Sequence, residues 1–83
     1  MEFHLITIEG VVFAGTATQV IIPTTAGQIT VLPRHIPLIS ELAKGEVIVT
    51  LENEKKTFEI TGGVLEVRKS NNIVLLADSA TEK

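Results

Sequence analysis

The sequence contains no cysteine, tryptophan or tyrosine, and only one methionine and one aspartate among its 83 residues. Without cysteine, neither disulfides nor thiolate metal sites can reinforce a small core, and the chain suits a reducing compartment. Charge of one sign is not concentrated. Seven Lys and Arg stand against ten Asp and Glu for a net charge of −3, and the adjacent basic pairs are Lys55-Lys56 and Arg68-Lys69. Nucleic-acid binding draws on a clustered basic face and on aromatic platforms for unpaired bases. Three phenylalanines and thinly spread lysines supply neither, so no nucleic-acid partner is expected. No run approaches the ~20 apolar residues that cross a bilayer as a helix. The start, Met1-Glu2-Phe3-His4, lacks the basic opening and apolar stretch of a signal peptide. The chain is therefore expected to begin near Met1 on the cytosolic side of any membrane.

What is present is apolar and β-branched. Hydrophobic residues make up 45% of the chain, enough for a core, although a domain this short buries only roughly 60% of its unfolded surface. The length predicts one domain over residues 1–83. Glycine and proline recur at short intervals with β-branched residues between them, the pattern of many short strands. Strands are expected over residues 3–8, 11–13 and 18–22, with Pro23 closing the third because proline donates nothing to a ladder. Residues 24–27 read as a turn and 28–32 as the next strand. Pro33 to Pro37 must be irregular, since each proline fixes its own φ and restricts the residue before it. Residues 38–42 resume as a strand that ends by Gly45. Residues 46–51 pair with 56–61 across the turn at 52–55, where Phe58 and Ile60 share a face opposite Thr57, Glu59 and Thr61. Gly62-Gly63 breaks the chain, and 64–68 with 73–77 form a further hairpin. From Ala77 onwards a helix start capped by Asp78 or Ser79 is expected, stopping within a turn. The fold class is all-β, a two-layer β-sandwich of about eight to ten short strands.

The chemistry-bearing residues do not assemble into a recognisable motif. A Ser-His-Asp triad would need Asp78, His35 and one of Ser40, Ser70 or Ser79, and none of those serines lies in a Gly-x-Ser-x-Gly elbow. Two histidines with scattered carboxylates lack metal-ligand spacing. Gly62-Gly63 precedes a strand, whereas a phosphate loop precedes a helix. No catalytic residue, cofactor or metal is expected. Lys55, beside a hairpin turn, raises the alternative of a swinging-lysine carrier such as the biotinyl and lipoyl domains. Its neighbours Glu54 and Lys56 differ from those families' Met-Lys-Met or Asp-Lys-Ala, and a solubilising turn charge is the simpler reading. His35 sits between two prolines in an otherwise apolar stretch. It reads equally as a structural loop histidine or as part of a pre-organised contact loop that loses little entropy on binding.

The run from Gly27 to Ile39, Gly-Gln-Ile-Thr-Val-Leu-Pro-Arg-His-Ile-Pro-Leu-Ile, resembles the epsilon subunit of the F-type rotary ATP synthase. Three further stretches agree in order: Phe13-x-Gly15; Phe58-x-Ile60-x-Gly62-Gly63-Val64-Leu65-Glu66-Val67; and Val74-x-Leu76-Ala77-Asp78-Ser79-Ala80. The resemblance implies a ten-stranded β-sandwich and a non-catalytic rotor subunit in the central stalk. Its partners there are the gamma subunit and the c-ring, and it helps couple proton flow to ATP synthesis. Attachment to the membrane is then indirect, through the c-ring, at the cytoplasmic face of a bacterial plasma membrane or the equivalent face of an organelle. Carried over by position, the ring contact falls on Thr25, Ala26, Gly27 and Gln28. Many family members have glutamate where Gln28 stands, which implies a hydrogen bond in place of an ion pair. The gamma contact falls on Thr7, His35, Ile36, Leu38, Ile39 and Ser40. Most family members continue into two long helices that inhibit ATP hydrolysis. This sequence stops at Lys83, so helix-based inhibition is not expected of it. Weak self-association through uncovered sandwich surface is.

Overall fold

The computed structural model describes Met1–Lys83 as ten strands with no helix. In chain order they are β1 (Glu2–Thr7), β2 (Gly10–Thr16), β3 (Gln19–Thr24), β4 (Gly27–Val31) and β5 (Leu38–Leu42). There follow β6 (Gly45–Thr50), β7 (Lys55–Ile60), β8 (Gly63–Arg68), β9 (Asn72–Ala77) and β10 (Ala80–Glu82). Hydrogen-bonded neighbours run β10-β7-β6-β3-β5-β8-β9-β1-β2, with β4 on the far flank of β3. All pairs are antiparallel except β1 with β9, which is parallel. The path folds over on itself at β3 and β5, which share one register pair, Thr24 with Leu42. Two bonds hold this corner: Thr25 N–H donates to the Glu41 carbonyl at 3.0 Å, and Ala43 N–H donates to the Pro23 carbonyl at 3.0 Å. Layers this closely joined make a sandwich that is nearly a barrel.

Period-two alternation sets what faces inward. Val47 and Val49 of β6, Phe58 and Ile60 of β7, and Leu65 and Val67 of β8 are buried, while Thr57 and Glu59 alternate outward. Across the other layer, register places Leu65, Leu75, Leu5 and Phe13 in one inward row. Phe13 reaches between the layers. Its ring lies 6.2 Å from that of Phe3 and 5.6 Å from that of Phe58 on the opposite layer. These tilted pairs bind beyond their buried area, by about 0.5–1.5 kcal/mol each.

Three expectations change. Strand β2 continues through Ala14-Gly15 to Thr16. Gly15 does not end it, because its bare backbone is what lets the Phe13 ring lie close: an added Cβ would stand 3.1 Å from Phe13 Cζ. Pro23 does not close β3 but lies inside it. Its carbonyl addresses the β5 flank, so its missing N–H falls on the same side, where β6 has already stopped pairing at Ile21. The end of the chain is a strand, not a helix start. β10 meets the open flank of β7, Ala80 to Ile60 and Glu82 to Phe58. Too short to nucleate a helix, the segment bonds to β7 instead, and the side chains of Lys56 and Glu82 and of Lys83 and Glu46 fasten it.

Candidate functional site

The β3–β4 hairpin projects its tip, Thr25 to Gln28, entirely into solvent. The tip is nonetheless stiff. Thr24 is buried; its Oγ1 donates to the Gly27 carbonyl at 2.6 Å and accepts from Ala26 N–H at 3.2 Å. Gly27 takes φ 120°, where an L side chain is strained. With Thr25 N–H also bonded to β5, the backbone of the tip is fixed before any partner arrives.

The segment between β4 and β5 is equally constrained. His35 N–H donates to the Leu32 carbonyl at 3.2 Å, closing a turn with Pro33 second and Arg34 third. Arg34 has φ 69°, so the turn has the form of type II, which ordinarily places glycine or asparagine there. Arg34 N–H donates to Asn71 Oδ1 at 3.0 Å, tying the loop to the β8–β9 turn, where Asn71 itself has φ 64°. The His35 ring folds back on its own segment, with Nδ1 2.7 Å from the Ile36 carbonyl, a hydrogen bond that requires the proton on Nδ1. Beyond it Ile36 and Ile39 are 74% and 75% exposed. Pro37, Leu38 and Ile39 form one wall of an open groove of about 480 Å³, and residues 66–69 form the other.

The residues assigned to the gamma contact are thus divided. Ile36 and Ile39 face outward. Leu38 packs against the core, and Ser40 lies in the inward row with Leu65. Thr7 is elsewhere: it ends β1, separated from β5 by β8 and β9, about 14 Å at three strand spacings. It lines a polar cavity of about 380 Å³ with Glu9, Asp78 and Ser79. His35 lines neither this cavity nor the groove, whereas Asp78 is part of this cavity's wall. No group of three His, Cys, Asp or Glu side chains is gathered to hold a metal ion. Lys55 opens β7 opposite Thr50, so the tip of that hairpin belongs to Glu52 and Asn53.

One surface escaped the residue-by-residue reading. Register carries an outward row from Val64 through Leu76 and Ile6 to Val11. Ile8, at the adjoining turn, is 97% exposed. The signal was present in runs such as Val64-Leu65 and Leu75-Leu76, where apolar residues do not alternate, as in strands covered on both faces. On the same face His4 keeps a buried Nδ1 with no hydrogen-bond partner.

Comparison with known proteins gives these surfaces a family. The sequence model described as "ATP synthase, Delta/Epsilon chain, beta-sandwich domain" matches residues 1–83. The ATP synthase epsilon chain of Corynebacterium urealyticum is 45% identical over 79 residues, covering 93% of this chain and 63% of that one. That of Endomicrobium trichonymphae is 39% identical over 79 residues, covering 95% and 56%. The chain thus spans little more than half the length of such relatives. Among solved structures, a chain in the Euglena gracilis mitochondrial ATP synthase (OSCP/F1/c-ring) superposes with TM-score 0.90 at 22% identity, covering 96% of this chain and 51% of that one. A chain from the central stalk and c-ring of the Tetrahymena thermophila enzyme superposes with TM-score 0.83 at 16% identity, covering 98% and 65%. At such identities the superpositions establish the fold.

Proposed function

Because the chain belongs to the ATP synthase delta/epsilon β-sandwich family, we propose that it serves as a non-catalytic rotor element of the central stalk, docking on the gamma subunit and the c-ring. It helps couple proton translocation to ATP synthesis by transmitting torque, with membrane association only through the ring. That places it on the cytoplasmic face of a bacterial plasma membrane or the equivalent face of an organelle. Residues 1–83 act as one domain. Helix-based inhibition of ATP hydrolysis has no part in the function proposed for these ten strands.

The observation that carries this reading is rigidity joined to exposure. The Thr25–Gln28 tip and the Pro33–Pro37 loop are both tied down by hydrogen bonds to their backbone, and apart from Arg34 both present uncharged side chains. Pre-organised loops lose little entropy on docking, and a subunit that transmits torque must not yield. Ile36 and Ile39 supply the apolar centre of the gamma contact, with His35 beside them; Thr7, Leu38 and Ser40 act from its margin or from beneath. Gln28 offers the ring an amide in place of a carboxylate, so its contact is less sensitive to salt.

Co-purification with gamma and with the membrane sector tests the division. Ile39→Glu places a charge at the centre of the apolar contact and is expected to weaken gamma binding about tenfold or more, about 1.4 kcal/mol. Gln28→Ala is expected to leave gamma binding intact and loosen attachment to the ring. Unchanged gamma binding by Ile39→Glu sinks this placement.

A further inference from the structure

Strands β2, β4 and β10 each have one neighbour only, so each leaves a flank open. Open flanks template pairing with another chain, and proteins blunt them by shortness, charge or bulges. β10 is three residues long and ends in Glu82, held by Lys56 at 3.1 Å. β2 is bulged against β1 between Leu5 and Ile6, and the Lys56 ammonium stands 5.8 Å from its Phe13 ring centroid. β4 has none of these protections. It pairs with β3 in unbroken register from Gly27 to Val31, and no charged residue occurs between positions 10 and 33.

The ladder also decides which backbone groups are free. Pro23 and Thr25 direct their groups towards β5, so Val20, Ile22 and Thr24 direct theirs towards β4. Their partners Val31, Ile29 and Gly27 answer them, which leaves the N–H and C=O of Gln28 and Thr30 pointing away from the sheet.

We propose that this flank is an interface for a second copy of the chain, the two β4 strands pairing antiparallel about a two-fold axis at Ile29. In that register Gln28 and Thr30 exchange N–H···O=C bonds with Thr30 and Gln28 of the second copy. Ile29 meets its own equivalent at the closely spaced position between them. The fit is self-complementary in three respects. Each free donor finds a free acceptor. Ile29, which packs on the margin of the core and is only half-buried, has its open side covered by an identical side chain. The absence of charge on the strand spares two chains of net charge −3 any like-charge pair at the contact. A single strand pair falls short of the ~1,200 Å² that a stable complex buries, so the dimer is weak. This pairing needs neither gamma nor the ring, and it stands or falls independently of the proposed function.

Sedimentation velocity on the purified chain is expected to show mass rising from monomer towards dimer between about 10 μM and about 1 mM. Over the same range hydrogen exchange at the Gln28 and Thr30 amides should slow, while that at Ile29, already bonded to β3, should not. Thr30→Pro removes an outward N–H and no bond to β3, and is expected to leave a monomer throughout. Thr30→Lys, the natural guard of an open edge, is expected to weaken association about tenfold or more. Thermal melts confirm that both variants are folded. A monomer at every concentration overturns the proposal, as does a dimer indifferent to both substitutions. A dimer abolished by Ile39→Glu but not by the Thr30 variants places the contact on the other layer and overturns it equally.

Discussion

Two glycines with nearly the same φ have different reasons to be glycine. Gly27 at the hairpin tip has φ 120° and nothing within 4 Å of where a Cβ would stand. Gly63 at the start of β8 has φ 136°, and its Cβ would lie 2.0 Å from the Leu76 carbonyl oxygen and 2.8 Å from Ala77 Cα. The first glycine is required by conformation alone, and the second by conformation and by contact between neighbouring strand backbones. Gly27→Ala is therefore expected to lower unfolding free energy by about 1–2 kcal/mol, the cost of positive φ in an L residue. Gly63→Ala must also push β8 from β9 and is expected to cost about 3–5 kcal/mol. Urea denaturation of the two variants side by side checks the ordering, and equal losses would contradict it. In the sequence both residues read as breaks in a strand pattern, and nothing local told the open site from the crowded one.

At the scale of an element, β10 is the most exposed to conditions. Lys56 and Lys83 are held above the ordinary lysine value, first by hydrogen bonds to Glu82 and Glu46 and then by those carboxylates' charge. A lysine raised in the folded state contributes stability that is full below its unfolded value and fades as pH climbs through the folded one. Alkaline solution above the ordinary lysine range should therefore release β10 first, by a small amount because both pairs are solvated. Amide exchange at Thr81 and Lys83, whose N–H groups face β7, should, corrected for intrinsic rate, accelerate there before that of β6 or β8. Acceleration on acidification without any on alkalisation would reverse the assignment. The same element shows where local reading stops. Residues 77–83 have no strong strand pattern, and they become a strand because β7 leaves a flank open beside them. Residues 56–61 and 64–68, whose alternation is clear, needed no neighbour to be read.

For the whole molecule, the joining of the layers rests on Phe13. Its strand lies at one end of the hydrogen-bonded path, yet its ring touches Phe58 on the opposite layer and Phe3 on its own. Phe13→Ala leaves β2 able to pair with β1 and removes the contact across the layers. The expected loss is about 2–3 kcal/mol, below that of a fully buried phenylalanine because Phe13 is half-buried. Calorimetry of the variant checks the figure, and a change under about 0.5 kcal/mol, as at an ordinary surface site, would deny Phe13 that role.

Composition and period-two patterning were enough to determine an all-β chain of short strands, its stiff Pro33–Pro37 segment, and most strand positions, because those are properties of a few adjacent residues. The motif from Gly27 to Ile39 carried the family as well. Beyond the hairpins β6–β7 and β8–β9, which the sequence pattern already paired, tertiary structure alone decided which strands meet. It decided that Thr7 stands apart from the loop at 35–40, that Ser40 turns inward while Ile39 turns out, and that β4 is left with an open flank. Layer closure depends on residues far apart in the chain, and outside a hairpin no local pattern encodes which neighbour a strand will find.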